Sequence, residues 1–140
     1  METLDSLSEE LRTRFSADRE KAQWLYAELK KAFGMPVCRS PMPAIDELIS
    51  TILSQNTNDH NRDMAFERLR KRFPTWDAVC DADVDDIIDA IRPAGLGNQK
   101  GRHIQAVLQQ IRREHQTLDL DFLKGWEQEK IKEYLLQFKG

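Results

Sequence analysis

Cysteine is scarce in this 140-residue chain, and Cys38 and Cys80 stand alone. With no Cys-x-x-Cys and no histidine at ligand spacing, the two read as free thiols in a reducing cytoplasm, not as a disulfide framework. His60, His103 and His115 lie far apart in sequence, so no metal site is expected from them. No apolar run approaches the roughly 20 residues that span a bilayer. The N-terminus is acidic (Glu2, Asp5, Glu9, Glu10) and lacks a signal-peptide pattern, which makes a cytoplasmic protein the expectation. Runs of alternating β-branched residues and hairpin signals are missing, as are repeats and low-complexity tracts. No serine sits in an elbow motif, so no nucleophile–base–acid triad is supported. Excess positive charge is also lacking. The net charge of −3 gives no general electrostatic support for a nucleic-acid partner and leaves only a local basic face open.

What is present reads as helices throughout. Apolar residues are 40% and charged residues 32%, the balance of a soluble globular chain of one-domain size. A first helix is expected from Leu4 to Phe15, with Leu4, Leu7, Leu11 and Phe15 on one stripe. Ser16-Ala-Asp18 is expected to break it and cap a second helix to Phe33, whose apolar side is Trp24, Leu25, Leu29 and Phe33. Gly34 ends that helix, and Pro36, Pro41 and Pro43 keep the next stretch extended or turned. Ile45, Leu48, Ile49, Ile52 and Leu53 then recur at helical spacing, as in a deeply buried helix. Asn58 or Asp59 caps the following one, which Pro74 stops. Thr75 and Asp83 are N-cap candidates for two short helices. A long helix carries Ile104, Val107, Leu108 and Ile111, and a last one Ile131, Leu135 and Phe138. Short connections imply a compact bundle.

Four groups of residues could carry chemistry. Gln55-Asn-Thr-Asn58 is either a capped turn or a polar rim able to bond bases or phosphates. Gly95-Leu-Gly-Asn-Gln-Lys-Gly101 is either a helix end followed by a new start, or a loop whose N–H groups meet an anion with Lys100 and Arg102 nearby. Leu96 fits neither account well; between two glycines it plugs the core or projects as a wedge. Asp81, Asp83, Asp85 and Asp86 complement a helix N-terminus. Arg68-Leu-Arg-Lys-Arg72 is a solvated helix face or a phosphate contact.

Taken in order, Ile49-Ser-Thr-Ile-Leu-Ser-Gln-Asn-Thr-Asn-Asp59, Phe73-Pro-Thr75, Ile91-Arg-Pro-Ala-Gly-Leu-Gly-Asn-Gln-Lys100 and Leu135-Leu-Gln-Phe-Lys-Gly140 resemble a helix-hairpin-helix DNA glycosylase of the endonuclease III type. The resemblance covers about residues 43–140. It implies an all-α fold: residues 35–140 as most of a six-helix glycosylase domain, and residues 1–34 as an N-terminal helical segment. It implies removal of damaged bases from duplex DNA, with abasic-site lyase activity, in base-excision repair. By position Asn56 matches the family's polar plug, one methylene shorter than the usual glutamine and adjoined by Gln55, and Leu96 matches its leucine wedge. The implied DNA-contacting set is Gln55, Asn56, Thr57, Leu96, Asn98, Lys100 and Gly140.

The resemblance places the family's nucleophilic lysine, its assisting aspartate and the cysteines of a 4Fe–4S cluster after Gly140. No catalytic residue and no cofactor is therefore expected within this chain, and the chain alone is expected to be inactive. It also implies that residues 18–33 pack on a C-terminal partner. Without one, Trp24, Leu25, Leu29 and Phe33 would form an exposed apolar patch, rearrange, or mediate self-association. The competing reading is a non-catalytic helical DNA- or protein-binding module completed by a partner.

Overall fold

The computed structural model describes the backbone of residues 4–37 and 41–138, and the side chains of 8–37 and 41–138. It is all-helical over these residues and divides into two units, Met1–Pro41 and Met42–Gly140. Cys38 and Gly140 lie outside the described residues.

The first unit is one helix, α1 (Leu4–Phe33). This corrects the expected break at Ser16-Ala-Asp18. Serine and aspartate end a helix only where the backbone leaves helical geometry; a single polar residue at mid-helix costs a few tenths of a kcal/mol. Neither glycine nor proline interrupts residues 4–33, and Glu10 precedes Arg14 by four residues, a supporting pair for a continuing helix. Gly34, with φ +74°, closes it by donating to Lys30 O at 2.8 Å. Trp24, Leu25, Leu29 and Phe33 are all at least half exposed, which matches the first of the three outcomes set out for them above.

Among its described residues the second unit holds six α-helices: α2 (Ala44–Ser54), α3 (Asp59–Arg72), α4 (Trp76–Asp81), α5 (Val84–Ala90), α6 (Gly97–His115) and α7 (Gln128–Leu136). Their starts follow local chemistry. Asn58, Thr75 and Asp83 each accept a backbone N–H of the first turn, from Asn61, Ala78 and Asp85 at 2.8, 3.2 and 3.0 Å. Pro43 sits at the N-cap of α2. The core gathers the apolar stripes: Ile45, Ile49, Ile52 and Leu53 of α2, Ala65 and Leu69 of α3, Ile87 of α5, and Ile104, Val107, Leu108 and Ile111 of α6. Phe138 is buried just past the end of α7.

Polar contacts between helices absorb most of the charged groups singled out above. Arg72 pairs with Asp86 at 2.6 Å and Asp89 at 3.0 Å, tying α3 to α5. The Arg70 guanidinium lies 4.3 Å over the Trp76 ring. The basic run is thus partly a helix–helix seam, a third outcome beside the two readings its sequence allowed. Asp83, Asp85 and Asp86 do occupy a helix start. Asp81 instead ends α4 and accepts from Arg112 at 2.8 Å, a bond that holds its carboxyl below the usual carboxylate range.

Gln105 of α6 donates its amide to Ala82 O at 2.8 Å and to Val79 O at 3.2 Å, at the end of α4. Val79 O also receives the Ala82 N–H at 3.4 Å, whereas Ala82 O, at the C-cap, takes its hydrogen bond from Gln105. Gln105→Leu is expected to cost about 1–2 kcal/mol, since Ala82 O is left without this donor. A chemical-denaturation midpoint equal to that of the parent would contradict this. Among the described residues no helix is long and apolar enough to cross a membrane.

Candidate functional site

Two turns meet at one mouth of the second unit. The first follows α2. Its last residues leave the helix at Gln55, and Asn56 takes a left-handed conformation at φ +53° before Asn58 caps α3. Asparagine tolerates that region better than most residues, so the local sequence explains this turn. The second follows a single 3-10 turn over Arg92–Ala94. Gly95 reverses the chain at φ +71°, and Leu96 follows at φ +50°.

Leu96 breaks two local rules. A leucine in left-handed backbone costs on the order of 1–2 kcal/mol. It also occupies the N-cap of α6, where no side chain accepts a hydrogen bond and where serine, asparagine or aspartate would contribute about 1 kcal/mol. Its side chain recovers little by burial, since Leu96 is 51% exposed. A strained, exposed, apolar residue at a turn points to a role outside the fold.

Asn56 and Leu96 line the same open cleft of about 610 Å³, together with Gln55, Gln99, Arg102 and His103. Gln55, His103 and Ile52 also line a second cleft, about 630 Å³ and mostly apolar, between α2, α6 and α7. They form the partition between the two. Burial pushes the His103 imidazole below the usual histidine range, which favours its uncharged form. The wall is therefore built of amides, one imidazole, one guanidinium and one exposed isobutyl group, with Ile52 and the largely buried Lys100 behind them.

The other expected residues fall differently. Thr57 is half-buried and donates its N–H to Ser54 O at 3.4 Å, as part of the turn. Asn98 is exposed in the first turn of α6, outside the residues lining the cleft. Lys100, expected near a bound anion and in the implied DNA-contacting set, turns largely inward. It is only 4% exposed, and its Nζ donates to Leu53 O at 3.0 Å and Ala94 O at 2.8 Å. Position 100 precedes Ile104 by four residues and so lies on the core stripe of α6. That spacing was visible in the sequence, but the lysine's charge suggested the opposite face.

Glycine at 97 and 101 also serves packing more than an anion. A Cβ at Gly101 would lie 2.7 Å from Ile88 Cγ1, and one at Gly97 would lie 3.3 Å from Ile88 Cγ2. Sequence reasoning missed Gln99 and His103. Their signal was the 96, 99, 103 spacing, which shares one face of α6 with the wedge candidate. No three His, Cys, Asp or Glu residues converge among the described residues, and Cys80 is buried with its thiol pushed up by desolvation.

Comparison with known proteins bears on this geometry. A family model described as HhH-GPD superfamily base excision DNA repair protein matches residues 49–134. A candidate DNA glycosylase of Arabidopsis thaliana is 38% identical over 96 residues, covering 69% of this chain and 33% of that protein. Endonuclease III of Sulfolobus acidocaldarius is 32% identical over 129 residues, 85% of this chain and 55% of that protein. DNA glycosylase/AP lyase ROS1 of Arabidopsis thaliana is 33% identical over 76 residues, 53% of this chain and 6% of that protein. The chain spans about half the length of the Sulfolobus relative and a third of the first Arabidopsis one.

Proposed function

Since the chain belongs to the HhH-GPD superfamily of base excision DNA repair proteins, we propose that its second unit is the lesion-reading part of a DNA glycosylase with abasic-site lyase activity. Leu96 is the wedge that enters the base stack at a damaged or abasic position. Asn56, with Gln55 beside it, faces the vacated slot and bonds the base left unpaired. The carrying observation is that a strained, exposed leucine and a left-handed asparagine line one cleft although 40 positions separate them in the chain.

The chemistry suits the task. A base that is to be excised must leave the stack, and unstacking a step costs a few kcal/mol. An apolar side chain already exposed gives up little on insertion, and a rigid turn loses little freedom. Amide groups can bond any base edge, which suits a plug that must accept whichever base is orphaned. No catalytic step is assigned to residues 4–138. Lys100, which also lines the cleft, has its amine held by two carbonyls and is unsuited to attack a sugar carbon.

The test is binding of the 140-residue chain to a duplex carrying an abasic-site analogue opposite 2-aminopurine. The abasic duplex should bind at least about tenfold more tightly than the intact one, with a rise in fluorescence as the base unstacks. Equal affinity for both duplexes, with no fluorescence change, would sink the reading.

A further inference from the structure

We propose that Lys100 is a positioning residue, whose ammonium clamps the two turns and so fixes the separation of Asn56 from Leu96. The consequence for DNA rests on the function proposed above; the clamp itself does not.

Lys100 is the one buried charged residue among those described in the second unit's core. Burying an ammonium costs several kcal/mol unless partners replace its water. Here the partners are two carbonyls on separate elements. Leu53 O lies in the last turn of α2, three residues before Asn56, and 47 residues separate it from the lysine. Ala94 O ends the 3-10 turn, two residues before Leu96. Leu53 O stands at the C-terminal end of α2, where the i+4 N–H is lost to the helix and the dipole is negative, and Ala94 O closes a single 3-10 turn. One cation between two such ends satisfies both and needs no carboxylate. The helix carrying the lysine starts at the wedge turn, and Lys100 N donates back to Leu96 O at 2.9 Å. Side chain and backbone of one residue thus grip both turns.

A residue needed only to fill space here would be apolar, because position 100 lies on the buried stripe with Ile104 and Leu108. Methionine has nearly the same shape and no desolvation cost. What the ammonium adds is direction: two hydrogen bonds that allow one spacing of the turns, where an apolar contact would allow several.

Lys100→Met and Lys100→Arg test this in the DNA-free chain and with the abasic duplex. In K100M, amide exchange in residues 54–57 and 94–98 should quicken about tenfold or more, with the far ends of α3 and α6 unchanged. Preference for the abasic duplex should fall about tenfold, and K100R, which keeps donors, should regain much of both. Uniform exchange throughout K100M, or unchanged exchange at the two turns, would overturn the clamp. So would a K100M chain that does not fold, or a K100R chain that behaves like K100M. Loosened turns in a protein that never distinguished the two duplexes would uphold the clamp and refute the DNA reading.

Discussion

Gly101→Val is expected to lower the stability of the second unit by about 3 kcal/mol, at the upper end of what overpacking a tight contact costs. The reason is local. A Cβ built at 101 lands 2.7 Å from Ile88 Cγ1 and 3.4 Å from the Ile88 backbone N and Cα. Ile88 is β-branched, so its near methylene cannot swing away as the tip of a long side chain could. The two helices must move apart, and α6 contributes Ile104, Val107, Leu108 and Ile111 to the core. Valine adds two methyl groups to that clash. Gly101→Ala should cost less, and Ile88→Ala in the same chain should return much of what Gly101→Ala removes. Denaturation midpoints for the single and double variants measure this. A Gly101→Val midpoint within error of the parent would show that α5 and α6 do not approach so closely.

Leu96→Asn is expected to separate stability from function. The folded chain should gain about 1 kcal/mol, because asparagine accepts left-handed backbone and is a good N-cap, whereas the leucine buries little there. Preference for the abasic duplex should fall by at least about tenfold, since a short polar side chain cannot hold a base step apart. The two readouts move in opposite directions, which a general loss of structure cannot imitate. A variant that is less stable and also retains its preference would remove Leu96 from the role proposed. Leu96→Met, still apolar and unbranched, should keep most of the preference and the strain.

The two substitutions mark the limits of what local sequence makes legible. The caps at Asn58, Thr75 and Asp83 and the stripes of α2 and α6 were legible, because each depends on residues within a turn or two. The continuous α1 was not. Ser16 and Asp18 favour a cap, but no glycine or proline occurs before Gly34 to add to that preference. Arg72 was legible as a charge but not as a partner of Asp86 and Asp89, which lie 14 and 17 positions further on. For Lys100 two signals conflicted. Its charge argued for solvent and its spacing for the core; spacing prevailed because two helix-end carbonyls were available to replace water.

The sequence by itself determined an all-helical chain, the positions of most helix starts, the apolar stripes and the resemblance carried by four ordered segments. Only the tertiary structure decided that residues 56 and 96 share a cleft, that Lys100 turns inward, and that Gly101 is required by Ile88. Helical period and capping act between neighbours along the chain and are written in it directly. Convergence of distant turns depends on how helices pack, and packing is chosen by the whole set of side chains at once.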